Sequence, residues 1–321
     1  MDMTSPSPFI VSTQIIATSA GKNRTCYDSG KNEEVLVYAI FTMLFCVLGM
    51  LGNGLVIWLL GSSVKRNTFA IYIINLSVAD FGFLTFELII EIHWLFTHLY
   101  CDFPYELFQT GLLLMYSTGQ FLLTVISIDR CISVLFPIWY RCHRPVHMFT
   151  IVCVVIWAVS FILSSIHFTI IAVDGFGNSY TLMYQFIINA VLCLPLMTIS
   201  SVTLFIKICF ISKSQRRRQL LTAILLTLFF FLVLGFPLNV FYFIQYFLKY
   251  IHPNLVHYGY LCTCINSSIN PLIYYLVGRQ KEQPRISFKV ALQRVFKDEQ
   301  DKLLILLAGT FQGPFYSVKI A

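Results

Sequence analysis

Residues 111–131 read GLLLMYSTGQFLLTVISIDRC, a segment with no charged side chain before its closing pair, Asp129-Arg130. A run of about 18 predominantly apolar residues is long enough to cross the hydrocarbon core of a membrane as a helix. Similar runs recur along the chain, which is 57% hydrophobic and 12% charged. Because soluble domains carry about 25% charged residues, this composition argues against a water-soluble protein.

The apolar runs predict seven membrane-spanning helices. They are expected near residues 35–60, 69–96, 107–136, 147–172, 181–208, 220–248 and 255–277. Because the connections are short, consecutive helices must run antiparallel within one bundle. The predicted fold class is all-α: a seven-transmembrane helix bundle over residues 35–277, flanked by an N-terminal segment (1–34) and a C-terminal tail (278–321).

Basic residues predict the orientation of this multi-pass protein in the plasma membrane. After the first, third and fifth spans stand Lys65, Arg66, Arg141, Arg144, Lys213, Arg216, Arg217 and Arg218, whereas the loops on the other side contain only Lys249. Since positively charged loops stay in the cytoplasm, the N-terminal segment is predicted to be extracellular and the tail cytoplasmic. A glycosylation sequon at Asn23 agrees with this orientation.

The tail is predicted to contain a short amphipathic helix at about 284–297. Apolar residues recur there at helical spacing, with cations between them: Phe288, Leu292, Val295 and Phe296 against Lys289, Arg294 and Lys297. Such a helix lies on the membrane surface with its cations near anionic headgroups, so membrane lipid is a predicted partner.

Polar residues inside the spans need an explanation, because an ionisable group in hydrocarbon is costly unless it is paired or hydrated. Asp80 lies in the middle of the second span, and Asn53, Asn266 and Asn270 are placed to point at it. This polar relay is either a small cavity for water or sodium, or a purely structural hydrogen-bond knot, and the residues leave both open.

Prolines interrupt three spans. Pro195, Pro237 and Pro271 each remove a backbone donor and favour a kink, and together they indicate hinged motion. Asp129 can fold back on Arg130, whose fork of donors would face an entering partner if the helix ends separate. The alternative is an arginine at a helix end that merely reaches toward the membrane surface.

Several motifs occur in one order on successive spans. They are Gly52-Asn53, Asn75-Leu76-Ser77-Val78-Ala79-Asp80, Asp129-Arg130-Cys131, Trp157, Pro195, Pro237 and Asn270-Pro271-Leu272-Ile273-Tyr274. Over about residues 35–297 this pattern resembles the rhodopsin-like (class A) G-protein-coupled receptors. The stretches 117–124 (STGQFLLT) and 137–145 (PIWYRCHRP) are similar to the Mas-related subfamily. Gly235 stands where most class A receptors carry Trp, as in many Mas-related members, and Asp129 replaces their usual Glu.

The resemblance implies a heterotrimeric G protein as a partner, and no enzyme activity, cofactor or nucleic-acid partner. Activation and coupling residues carried over are Asp129, Arg130, Asn270, Pro271, Tyr274 and Pro237, with Asp80, Asn53 and Asn266 as the relay. Gly119 stands where many class A receptors place a Ser ligand for sodium. The prediction is therefore that the chain holds no metal, and sodium at Asp80 is not favoured.

The family's usual disulfide at the outer face is not expected. Residues 174–180 contain no Cys, and Tyr105 stands at the corresponding position of the third span. Cys26 and Cys101 lie on the predicted extracellular side, where oxidising conditions allow a disulfide between them.

Acidic residues cluster near the predicted outer mouth. Glu87 and Glu91 are four residues apart and share a helix face, and Asp174 lies in the short second outer loop. Aromatic candidates for the pocket are Tyr116, Phe236, Tyr242 and Tyr246. A negative, shallow mouth attracts cations, so the predicted ligand is a cationic peptide or amphipathic amine. The alternative for the two glutamates is pairing with His93, His98, Lys249 or buried water.

The sequence therefore predicts a receptor whose extracellular ligand shifts a two-state bundle toward a form that activates a G protein. In Mas-related receptors, cationic ligands meet acidic residues on helices four and five, where this chain has His167 on helix four. The alternatives are a non-signalling or decoy receptor and, less favoured, a small transporter.

Overall fold

A computed structural model describes residues 14–17, 24–27, 33–62, 68–97, 103–136, 140, 147–174, 180–211, 225–248, 253–278 and 290. Five long helices come first. They are α1 (Glu33–Gly61), α2 (Thr68–Thr97), α3 (Phe103–Leu135), α4 (Met148–Asp174) and α5 (Tyr180–Ile211).

The sixth span is interrupted. Residues 225–230 are α-helical, Phe231–Gly235 form a π-helical segment, and α6 (Pro237–Leu248) continues to the end of the span. The backbone N–H of Phe236 donates to the carbonyl of Phe231 at 3.0 Å, a bond across five residues. Pro237 has no N–H to donate, so the first position of a new helix suits it. The last helix is α7 (Pro253–Gly278), which also begins at a proline.

The helices form a closed ring around α3. Neighbours contact in the order α1, α2, α4, α5, α6 and α7, with α7 returning to α1, while α3 packs on α2, α4 and α5. Six of the described spans are long and apolar enough to cross a membrane. The seventh, α7, is 26 residues long and more polar, because it places Asn266, Ser267 and Asn270 inside the bundle.

The bundle is apolar outside and partly polar inside, the reverse of a soluble protein. Large apolar side chains such as Leu51, Trp58 and Ile199 are about two-thirds exposed, which suits contact with lipid. Because consecutive helices run antiparallel, the start of α1 and the end of α2 lie at the same end of the bundle, called the Glu91 end here. The end of α3 lies at the other, the Arg130 end. Each half has its own apolar core, around Leu122 and Phe149 near Arg130 and around Leu112 and Phe186 near Glu91.

A two-stranded hairpin precedes the bundle and was not predicted. Strands β1 (Gln14–Ala17) and β2 (Arg24–Tyr27) pair antiparallel, with Ile15 opposite Cys26. In the described residues, helices are found in all seven predicted spans. The amphipathic tail helix at 284–297 lies outside the described residues apart from the helical residue Val290.

Candidate functional site

The Arg130 end is built around a closed ion pair. Arg130 Nη2 donates to Asp129 Oδ2 at 2.9 Å, and the two side chains are only 3% and 4% exposed. The Tyr140 hydroxyl donates to the other carboxylate oxygen at 2.8 Å. The predicted fold-back of Asp129 onto Arg130 is present. Tyr140 was not singled out as a partner of Asp129, because it lies 11 residues further along the chain, beyond the end of α3.

The polar relay is only partly assembled as expected. Asn270 Nδ2 donates to Asp80 Oδ2 at 2.8 Å and joins α7 to α2. Asn53 does not bond to Asp80, since its amide donates at 3.0 Å to the carbonyls of Gly49 and Ser267. It therefore ties α1 to the backbone of α7, beside the residues that position Asn270.

Asn266 faces the sixth span instead of Asp80. Its Nδ2 lies 3.3 Å from where a Cβ on Gly235 would stand. The Phe231 ring lies closer still, with Cδ2 2.8 Å from that position. The Phe231 ring, one turn earlier in the π-helical segment, thus fills the space beside Gly235.

The proline-bearing helices are joined closely to their neighbours. A Cβ on Gly52 would lie 3.1 Å from Pro271 Cγ, so a larger residue there would press on α7. Tyr274 is buried one turn after Pro271.

A separate contact joins α4 to α2. Trp157 Nε1 donates to Asn75 Oδ1 at 3.0 Å, which fixes α4 against α2.

An aromatic wall lines the interior toward the Glu91 end. Phe186 stacks on Tyr242 with ring centroids 4.3 Å apart and lies 5.1 Å from Tyr116. The Tyr116 hydroxyl accepts from Asn239 Nδ2 at 2.7 Å. The Tyr260 hydroxyl lies 3.0 Å from that of Tyr242. The sequence predicted Tyr116 and Tyr242 but missed Phe186 between them, because its partners are on other helices.

The acidic pair lies inside the bundle instead of on its rim. Glu87 and Glu91 are each 3% exposed, and the two carboxyl groups interact electrostatically. Among the described residues no ion pair joins either carboxyl to a basic side chain. Two of the alternative partners, His98 and Lys249, lie outside the described residues.

Other predicted site residues cannot be placed in the site. The side chains of Asp174 and Tyr246 lie outside the described part, although their backbones end α4 and continue α6. Asn23 and Cys101 also fall outside it, and Cys26 is described only as a strand residue. Phe236 is half-buried at the start of α6. No group of three His, Cys, Asp or Glu side chains in the described ranges is arranged to hold a metal.

A second polar cluster joins α3, α4 and α5 and was missed. Gln185 and Asn189 both donate to Ser117 Oγ at 2.9 Å, and Gln185 reaches Ser164 at 3.4 Å. Ser160, Ser164 and His167 share one buried face of α4, at spacings of four and three residues. The sequence signal was present, since Gln185 and Asn189 are also four apart.

The chain is similar to a known protein family over the region that contains these motifs. A profile of the family described as 7 transmembrane receptor (rhodopsin family) matches residues 52–274. The fold and the Asp129–Arg130 and Asp80–Asn270 contacts thus belong to a seven-transmembrane receptor of the rhodopsin class.

Relatives narrow this assignment. The chain is 35% identical to rat Proto-oncogene Mas over 263 residues, 78% of this chain and 81% of that protein. It is 32% identical to human Proto-oncogene Mas over 310 residues, 93% and 94% of the two chains. It is 33% identical to human Mas-related G-protein coupled receptor member X2 over 316 residues, 93% of both. The chain belongs to the Mas-related G-protein-coupled receptors, a family of multi-pass membrane receptors and not of enzymes.

Proposed function

We propose that this receptor binds an extracellular cationic ligand at the Glu91 end and activates a heterotrimeric G protein at the Arg130 end. In this orientation the N-terminus faces outward from the plasma membrane and the tail faces the cytoplasm. The observation that carries the proposal is the contrast between a closed ion pair at Arg130 and two buried acids, Glu87 and Glu91, without a described basic partner.

The acidic pair supports a cationic ligand. A buried carboxylate without a counter-charge is costly, and an incoming ammonium or guanidinium relieves that cost. The aromatic wall at Tyr116, Phe186 and Tyr242 adds faces that attract cations. Because both glutamates are buried, the cationic group must enter the bundle and cannot bind only at a shallow rim. A slender basic side chain or amine tail fits this requirement.

The Arg130 end supports G-protein coupling. The Asp129 carboxylate holds the Arg130 guanidinium inside the bundle, with 2.9 Å between Nη2 and Oδ2. Tyr140 donates to the other oxygen of the same carboxylate and so holds it in place. When the helix ends separate, the released Arg130 fork can donate to backbone carbonyls of an entering partner helix. The interrupted sixth span, with its π-helical segment at Phe231–Gly235, is the element placed to move.

A G-protein dissociation assay with a panel of basic peptides tests both ends together. Arg130→Ala should abolish the agonist response at equal surface expression, because the coupling fork is lost. Glu87→Gln with Glu91→Gln should shift the half-maximal concentration of an active basic peptide at least about tenfold, which is about 1.4 kcal/mol. Glu34→Gln, an exposed acid at the same end, is the matched control and should leave the response unchanged.

Two results would overturn the proposal. An undiminished response of Arg130→Ala would remove the coupling mechanism, and equal potency in the double glutamine variant would remove the acidic site. Silence of the wild-type receptor toward every peptide, with no basal activity, would favour the non-signalling alternative. An epitope tag at the N-terminus should be stained on intact cells, and staining only after permeabilisation would reverse the orientation.

A further inference from the structure

Two free thiols face each other inside the bundle. Cys46 of α1 and Cys264 of α7 are both fully buried, and their sulfur atoms lie 3.8 Å apart in a weak hydrogen bond. A disulfide bond is about 2.05 Å long, so the two sulfurs are in contact but are not joined. Among the cysteines that the structure describes, this is the one pair whose sulfurs meet.

The backbones of α1 and α7 are close together at the level of this pair. The Ser268 Oγ lies 2.8 Å from the carbonyl oxygen of Phe45 and 2.7 Å from that of Cys264. One hydroxyl therefore touches the main chain beside both thiols. Three residues after Cys46, a Cβ on Gly49 would lie 2.9 Å from Ser268 Cβ. A disulfide needs Cα atoms less than about 7 Å apart, and a glycine at a helix contact favours such a close approach.

Contacts on either side of the thiols hold the two helices in this register. Toward the Arg130 end, the Asn53 amide donates to the carbonyl of Ser267 at 3.0 Å. Toward the Glu91 end, the Tyr38 ring lies 5.2 Å from the ring of His257. The thiol pair lies between these contacts, so its sulfurs are held facing each other.

We propose that Cys46 and Cys264 form a modification site, at which hydrogen peroxide converts the two thiols into a disulfide that joins α1 to α7. One sulfur attacks a peroxide oxygen, the O–O bond breaks, and a sulfenic acid and one water molecule form. The second sulfur then displaces the hydroxyl group of the sulfenic acid, which makes the S–S bond and releases a second water molecule. The two thiol protons leave in the two waters, both sulfurs are oxidised, and both peroxide oxygens are reduced.

Burial decides which oxidant can act at this site. Neither cysteine has exposed surface, so a bulky thiol reagent cannot reach the sulfurs while the helices are packed. Hydrogen peroxide has four atoms and needs only a transient local opening. Burial also favours the disulfide over further oxidation, because the sulfenic acid is in contact with a thiol and is shielded from a second peroxide molecule.

The disulfide restrains a helix that carries several of the receptor's motifs. α7 contains Asn270, which bonds to Asp80, and the kink residue Pro271. In the reduced protein α7 is held to α1 only by noncovalent contacts, and it can shift when those contacts open. In the oxidised protein its position at Cys264 is fixed to α1.

Mass spectrometry of the purified full-length receptor tests the modification directly, without ligand or G protein. After exposure to hydrogen peroxide and blocking of the remaining thiols with N-ethylmaleimide, proteolysis should release two linked peptides that contain Cys46 and Cys264. Reduction with dithiothreitol after unfolding should separate them. Oxidation should also raise the thermal unfolding midpoint by at least about 4 °C, because the crosslink constrains the unfolded chain.

Serine variants separate this pair from the other cysteines. Cys46→Ser and Cys264→Ser should each lose the linked peptides and the rise in the unfolding midpoint. Cys153→Ser makes the same change at a buried cysteine of α4 and should keep both. The peptide map of the wild-type receptor needs no variant, so the test stands even if a serine variant fails to fold.

The proposal is overturned if Cys46 and Cys264 remain free thiols under conditions that oxidise free cysteine in the same solution. In that case the pair serves helix packing alone. A link from either residue to a different cysteine, or a rise in the midpoint that persists in Cys264→Ser, would also overturn it. Because signalling is not measured, failure here leaves the proposed receptor function to its own assay.

Discussion

The two ends of the bundle handle buried carboxyl groups in opposite ways. At one end Asp129 is buried, pairs with Arg130 at 2.9 Å and accepts a bond from Tyr140 at 2.8 Å. At the other end Glu87 and Glu91 are just as buried, yet no basic side chain in the described ranges pairs with them. Burial alone therefore does not distinguish a structural acid from one that can receive a ligand.

The difference lies in what each end requires to change state. The Arg130 end already holds its counter-charge, so a partner can use the guanidinium only after the ion pair opens. At the Glu91 end no basic side chain in the described ranges pairs with Glu87 or Glu91, so an arriving cation gains free energy without first breaking an ion pair there. We call the Arg130 end, with its formed ion pair, the closed end, and the Glu91 end, without a described ion pair, the open end. This difference suits a protein that binds a ligand on one side and changes its contacts on the other.

Asp129→Asn breaks the closed end and should have the largest effect. Removing one partner of a buried ion pair leaves Arg130 uncompensated, so the unfolding free energy should fall by about 3 kcal/mol. Basal G-protein activity should rise, because the guanidinium is no longer held. Thermal unfolding of the purified receptor and a basal nucleotide-exchange assay check the two effects. Unchanged stability would mean that Arg130 is held by contacts other than Asp129.

Tyr140→Phe tests the second contact of the same carboxylate. It removes a hydrogen bond to a charged acceptor, so the expected loss is about 1.5 kcal/mol, smaller than for Asp129→Asn. Basal activity should rise in the same direction. The variant with both substitutions should lose less unfolding free energy than the sum of the two single losses, because both substitutions act on the contacts of the Asp129 carboxylate. Strict additivity in this double-mutant cycle would contradict the shared contact.

Glu91→Gln makes the same acid-to-amide change as Asp129→Asn, but at the Glu91 end, and should not destabilise the folded receptor. In buffer with choline as the only added cation, the unfolding free energy should change by less than about 1 kcal/mol, because no ion pair of Glu91 is lost. Measuring it beside Asp129→Asn in one buffer sharpens the contrast between the ends. A loss as large as that of Asp129→Asn would reveal a partner for Glu91.

Tyr38→Phe should have the smallest effect. The Tyr38 hydroxyl meets the neutral hydroxyl of Thr42 and not a carboxylate, so removing it should change the unfolding free energy by less than about 1 kcal/mol in choline buffer. Tyr140→Phe is the matched control, because it removes the same tyrosine hydroxyl group at the Arg130 end. If Tyr38→Phe proves the more costly of the two, the open end is better satisfied than its contacts indicate.

Much of the site could be anticipated because its signals are local. The Asp129–Arg130 contact joins adjacent residues, and Glu87 and Glu91 share a face at a spacing of four. The contacts that were missed join distant residues: Asn53 with Ser267, Phe231 beside Asn266, and Phe186 between Tyr116 and Tyr242. A helical pattern shows which residues share a face, but it does not show which neighbouring helix that face meets.

Sequence alone determined the seven spans, because about 20 apolar residues in a row can be satisfied in lipid only as a helix. It also identified the receptor class through motifs whose order and spacing lie along single helices. Only the tertiary structure decided that Asn53 and Asn266 turn away from Asp80, that Phe231 fills the space beside Gly235, and that the two glutamates are buried. Those outcomes depend on the rotation and register of packed helices, which are set by side chains far apart in the chain.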